Sequence, residues 1–174
     1  MRVNGGVREL LQADARYVGI DPRRGQDVTV QAMGQALPLR DASVSTVLCC
    51  GTLEHTPHVE EICAEIGRVL CLGGHAVITT VDEPWPAHGM DGRVPPAPDE
   101  YYAPVPLEIV VRALRMVGVA TEGGARTDSG DVFVSAHRQL IRLNLGAGTV
   151  RKRDGYITVD ANPLARSDDA RRVR

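Results

Sequence analysis

The chain has 174 residues, a net charge of −2, 43% hydrophobic and 24% charged residues, a composition that suits one globular domain with a real core. One Trp, four Tyr and one Phe leave that core aliphatic and supply no stacking platform for single-stranded nucleic acid. The charge balance argues against a dedicated nucleic-acid or membrane-surface binder, no apolar run reaches the roughly 18–20 residues of a membrane span, and residues 1–6 lack the apolar stretch of a signal peptide.

In chain order, residues 7–13 read as the end of a short helix, with Val7, Leu10 and Leu11 on one face. Residues 16–21 form a buried strand stopped by Pro22 and the polar Arg23-Arg24-Gly25-Gln26 loop. Residues 27–31 form a second short strand, alternating Val28 and Val30. Residues 44–50 are almost continuously apolar, as a central parallel strand covered on both faces should be. Residues 59–70 place Val59, Ile62, Cys63, Ile66, Val69 and Leu70 on one helical stripe, and Gly73-Gly74 is expected to end that helix with positive φ. A strand follows at 75–81. Residues 82–104, rich in Pro and Gly, are too long for mere connection and read as a functional lid. A second amphipathic helix at 106–117 precedes strands near 119–122 and 132–137. This alternation predicts a three-layer, doubly wound, mostly parallel α/β sheet.

The end of the chain echoes its beginning. Gly155-Tyr156-Ile157-Thr158-Val159-Asp160 resembles Arg16-Tyr17-Val18-Gly19-Ile20-Asp21, and both run into a proline, at 163 and 22. Before the second copy, residues 140–148 read as a strand with a glycine turn.

Four cysteines form no Cys-x-x-Cys pair and are expected to be reduced, hydrophobic thiols of a cytoplasmic protein. His55 and His58 lie three apart with no partner at metal-ligand spacing, so no metal is expected. A nicotinamide-binding domain would need Gly-x-Gly-x-x-Gly after its first strand, and Gly146-Ala147-Gly148 lacks the third glycine.

The strand ending at Asp21, then Ala36-Leu37-Pro38-Leu39, the 44–50 strand, Leu53-Glu54-His55 and Gly73-Gly74, in this order, resemble the middle of a class I S-adenosylmethionine-dependent methyltransferase, of the methyltransferase type 11 kind. The resemblance covers about residues 7–137 and implies a Rossmann-like fold that is incomplete or circularly permuted. The glycine-rich opening of such a domain is found instead at 140–163. It implies a methyltransferase-like domain at 1–138 and, at 139–174, a tail similar to such a domain's opening strand, glycine turn and second strand. Residues 141–145 could then pass between the 16–21 and 44–50 strands, or self-association could complete the sheet by exchanging tails.

The implied function is methyl transfer from S-adenosylmethionine to a small-molecule acceptor. Asp21, ending a strand at the sheet's carboxyl edge, would accept the ribose hydroxyls, although the same residue before Pro22 also suits a turn. Gln35, Ala36 and Leu37 would line the adenine. Gly51 and Thr52 would border the methionine part, with Gly146 and Gly148 in the glycine turn. Met33 stands where relatives often carry an acid, and so does Ser45. His55 and His88 are the candidate catalytic groups, since an imidazole titrates near neutrality, while Glu54 and His55 would equally serve as caps of the next helix. His88-Gly89 and Glu100-Tyr101-Tyr102 loosely match acceptor-loop text of relatives. The alternative is a degenerate or truncated methyltransferase-like module that binds no cofactor and serves interaction or structure.

Overall fold

The computed structural model describes residues 8, 15–140, 142–145 and 156–159. The chain divides into two units, Met1–Gln139 and Leu140–Arg174.

In the first unit β1 (Ile20–Asp21) pairs in parallel with β2 (Val30–Gln31), a shorter ladder than the sequence suggests. Pro22 lacks the N–H that would continue β1. On the other side the Gly19 carbonyl is taken by both Thr29 N and Val30 N, and Gly19 N donates to Thr29 Oγ1. A Cβ at Gly19 would collide with the Asp27 carbonyl, so only glycine permits this close approach.

The main sheet runs β3-β4-β6-β5, built from β3 (Val44–Cys50), β4 (Leu70–Val81), β5 (Val119–Arg126) and β6 (Asp131–Arg138). β3 and β4 are parallel, whereas β6 runs antiparallel to both β4 and β5. The register sets Ala76 opposite Ala136, Ile78 opposite Val134 and Thr80 opposite Val132, which makes one small, aliphatic face. Helices α1 (Val59–Val69) and α2 (Leu107–Met116) lay Ile62, Cys63 and Ile66, and Val110, Ala113 and Leu114, into the same core cluster. Each of the Ile, Val and Leu side chains among them contributes about 1.5–3 kcal/mol of burial. The opposite face carries Val77 and Phe133, both exposed, and no described helix covers it.

Helix α1 does not reach Gly73-Gly74. It stops at Val69, and Leu70 turns extended to open β4. The physical reason is tertiary: Ala42 N and Ser43 N donate to the carbonyls of Arg68 and Val69, and Arg138 donates to that of Leu70. The helix's last carbonyls are thereby satisfied from outside. Gly73 does take positive φ (77°), at the irregularity where the β3–β4 register shifts.

The residues 7–13, read as a helix, lie outside the described residues except Arg8. In the second unit β7 (Arg142–Leu145) pairs in parallel with β8 (Tyr156–Val159), Arg142 opposite Tyr156 and Leu145 opposite Val159. That pairing joins the two segments read as an opening strand and a second strand.

Candidate active site

At the carboxyl end of β3 the chain turns through Gly51, whose φ is +58°, while Gly51 N donates to Thr79 O at 2.9 Å and ties the turn to β4. A single 3-10 turn, Leu53–His55, follows, anchored by the fully buried Leu53. This turn directs Glu54 inward. Glu54 is 2% exposed, and its carboxyl group accepts a hydrogen bond from Thr80 Oγ1 at 2.8 Å. Neither Glu54 nor His55 caps α1, whose N-cap, His58, makes no side-chain cap bond, so the capping alternative falls. His58 instead lies 3.2 Å from Glu61 and stands apart from the site.

The 82–104 segment leaves the end of β4 and returns to it, since Val105 N donates to Val81 O and Ala103 N to Glu54 O. It brings His88 and Tyr102 onto the 3-10 turn. The His55 and His88 rings meet edge-on with centroids 5.0 Å apart, and Tyr102 lies 5.9 Å from His55 and 5.0 Å from His88. His88 Nδ1 is 3.1 Å from the Pro86 carbonyl, which can only accept, so Nδ1 is the donor of this bond. His55 Nδ1 and Tyr102 Oη are buried without a hydrogen-bond partner among the described residues. Burial is the main force lowering the His55 pKa, opposed by Glu54, so its ring is neutral near pH 7. Burial likewise raises that of Tyr102.

Beside this cluster lies a cavity of about 150 Å³ lined by Gly51, Glu54, Thr79, Thr80, Asp131 and Phe133. On the other flank, Asp21 ends β1. Its Oδ1 accepts Arg23 N at 2.7 Å, the turn bond foreseen for an Asp before proline, and its second oxygen has no partner among the described residues. Arg23 reaches Glu100 of the 82–104 segment at 3.3 Å, which links the end of β1 to the loop that carries His88. Leu37 is gripped by Glu65 and Arg68, Gln35 is half-buried, and Ala36 and Thr52 are exposed. Met33 is 50% exposed. Gly146 and Gly148 lie outside the described residues. Cys49 and Cys63 are pushed up to about 12 by burial, as inert thiols are.

Of the residues His88, Asp91, Asp99, Tyr101 and Tyr102 that the sequence offers for an acceptor pocket, the structure brings His88 and Tyr102 together with His55, and it adds Glu54, which local pattern left as a cap. The available signal for Tyr102 was the Glu100-Tyr101-Tyr102 text. Tyr101 itself points away, 43% exposed. Asp91 is occupied by Arg93, whose guanidinium hydrogen bond is the largest cause lowering the Asp91 pKa.

Comparison with known proteins bears on the fold. A family described as "Methyltransferase domain" matches residues 4–78. No curated protein sequence matches the chain. Among solved structures, the 4+2 cyclase SpnF is 14% identical over 64% of this chain and 56% of its own, with a TM-score of 0.51. A SAM-dependent methyltransferase from Methanosarcina mazei is 13% identical over 71% of this chain and 82% of its own, at 0.51. The 1,6-didemethyltoxoflavin-N1-methyltransferase of Burkholderia thailandensis, solved with its substrate and S-adenosylhomocysteine, is 15% identical over 70% and 60%, also at 0.51. The chain therefore spans less than two thirds of SpnF and of the Burkholderia enzyme. No described helix is long and apolar enough to cross a membrane. With the methyltransferase-domain match over residues 4–78 and these structural neighbours, the chain has the fold of the class I S-adenosylmethionine-dependent methyltransferase superfamily.

Proposed function

We propose that this chain transfers a methyl group from S-adenosylmethionine to a small-molecule acceptor held between the 3-10 turn and the 82–104 segment. The observation that carries the reading is the convergence of His55, from the 3-10 turn, with His88 and Tyr102, from the two halves of the 82–104 segment, at the carboxyl end of β3 and β4. In doubly wound sheets ligands bind at that edge. The likeness to a small-molecule methyltransferase from Burkholderia supports the acceptor class.

The described residues fit the cofactor's chemistry on its nucleoside side. The unpartnered oxygen of Asp21 is a charge-assisted acceptor for ribose hydroxyls, and the clamped Leu37 with Gln35 and Ala36 supplies an adenine-lining segment. Gly51 and Thr52 are the residues assigned to the methionine portion. The bound sulfonium supplies an already activated methyl group. What remains for the protein is alignment of the acceptor and exclusion of water. His55 and His88 are the side chains we assign to contact the acceptor.

Met33, half exposed where relatives place an acid, favours a second reading, a module without catalysis. Calorimetric titration with S-adenosylmethionine and S-adenosylhomocysteine separates the two. Saturable 1:1 binding is expected, and absence of heat with both ligands overturns the methyl-transfer reading.

A further inference from the structure

One ligand atom from each of Glu54, His55 and His88 lies within 4.8 Å of the other two, in a cluster the sequence spacing does not disclose. Three features of it go together. The Glu54 carboxyl is buried, yet among the described residues its hydrogen-bonding partner is the neutral Thr80 hydroxyl and no Lys or Arg pairs with it. The ionised form of a buried carboxyl group is costly unless a positive charge lies beside it. His55 presents a buried Nδ1 with no partner. His88 donates Nδ1–H to the Pro86 carbonyl, the outer hydrogen bond that fixes a metal-binding imidazole's tautomer and leaves Nε2 free to ligate.

We infer that Glu54, His55 and His88 form a binding site for a divalent transition-metal cation such as Zn²⁺ or Co²⁺. Two imidazoles and a carboxylate are a donor set for borderline cations, not for Mg²⁺ or Ca²⁺, which take oxygen ligands. The ion supplies the positive charge that the buried Glu54 lacks, and it engages the orphaned His55 nitrogen. Ligands of a tetrahedral ion sit about 3.4 Å apart. Separations of up to 4.8 Å must therefore contract when the ion binds. Three protein ligands leave one position open on a four-coordinate ion. Where methyl transfer is the reaction, a step that rests on the proposed function, that position favours an acceptor bearing a hydroxyl or carboxylate oxygen.

The site is tested on the full chain after removal of metals with a chelator, by titration with Co²⁺ followed by visible absorption and with Zn²⁺ by calorimetry. We expect one ion per chain, a spectrum without a thiolate charge-transfer band, and affinity weakened more than about tenfold in both His88→Ala and His55→Ala. His137→Ala serves as the control, because His75, His137 and Glu122 form a second imidazole–carboxylate group across β4, β6 and β5. It should bind as the parent does. His88 lies in a loop, so its variant tests the site without opening the core, and circular dichroism of the metal-free proteins checks the fold. No binding, binding unchanged in His88→Ala, loss in His137→Ala, or a thiolate band overturns the proposal. S-adenosylmethionine titration of the same metal-free protein keeps the two readings apart, since cofactor binding without metal binding overturns the ion site alone.

Discussion

Glu65 and Arg68, one turn apart on α1, hold the two ends of a single residue. Glu65 Oε2 accepts the Leu37 N–H at 2.7 Å, and Arg68 Nη2 donates to the Leu37 carbonyl at 3.0 Å. The two side chains also pair with each other at 2.6 Å, and Arg68 extends to the Leu39 carbonyl and Asp41, both at 2.7 Å. One guanidinium fork thus pins the whole 37–41 stretch, which follows directly from the candidate adenine-lining residues, onto the helix.

The clamp makes stability depend on pH in a defined direction. The hydrogen bond from Arg68, more than any other influence, holds the Glu65 carboxyl below the usual carboxylate range. A depressed folded-state value adds stability that is fully present above the unfolded value, near about 4.3. It is lost as pH falls through the folded value. Glu65→Gln keeps an acceptor for Leu37 N but removes the charge. Its melting temperature should lie below the parent's at pH 7, and the gap should narrow toward pH 3. A gap independent of pH would show that the charge contributes nothing.

Asp21 is the residue on which cofactor affinity should turn. Losing a charge-assisted hydrogen bond costs about 1.5–3 kcal/mol, or roughly 10- to 150-fold in affinity. Asp21→Asn is the sharper variant, because its side-chain oxygen can still accept the Arg23 N–H that shapes the turn. Calorimetry should find weaker binding of S-adenosylhomocysteine in Asp21→Asn with little change in melting temperature. Equal affinity would confine Asp21 to its turn.

Much of the scaffold was legible because its signals are local. The apolar run at 44–50 matches β3 in extent, although β3 is an edge of the described four-stranded sheet and none of its residues is fully buried, not the central strand covered on both faces that the run suggests. The Ile62, Cys63, Ile66 and Val69 stripe is the buried face of α1. The end of α1 was misread because the groups that satisfy its last carbonyls come from residues 42, 43 and 138, which no helix-stop rule scans. The site was half legible for the same reason. His55 and His88 were visible as chemistry, but their meeting depends on how residues 82–104 fold back to Glu54 and Val81. Glu54 looked like a cap because its partner, Thr80, is 26 residues away and reached only through the pairing of β3 with β4.

Two glycines separate steric need from backbone strain. At Gly118, just past α2, φ is +76° but a Cβ would meet nothing within 4 Å, so Gly118→Ala should cost about 1 kcal/mol from the left-handed conformation alone. At Gly19 the added carbon would strike the Asp27 carbonyl and prise β1 from Thr29, whose backbone and hydroxyl both bond to Gly19. Gly19→Ala should therefore lose more stability in urea than Gly118→Ala. If it proves equal or milder, the close approach of residues 19 and 27 does not hold in solution.

The 82–104 segment should behave as a cover with fixed hinges. Its return is bonded at Ala103 N to Glu54 O and at Val105 N to Val81 O, beside β4's core residues. Its middle is closed by short-range bonds alone, Gly89 N to Arg93 O and Gly92 N to Gly89 O, and residues 91–95 are exposed. Local opening costs little where few buried contacts must break, so amides near 89–95 should exchange fast while those of Ala103 and Val105 stay protected. His88 sits between these regimes, next to the turn that would open. Binding of S-adenosylhomocysteine at the carboxyl edge should raise protection at 88–95 through the link from Arg23 to Glu100, with little change at Ala103. Hydrogen exchange followed by mass spectrometry reads both quantities. Strong protection of 88–95 in the free protein would sink the cover, because a segment that does not open cannot admit an acceptor to His55 and His88.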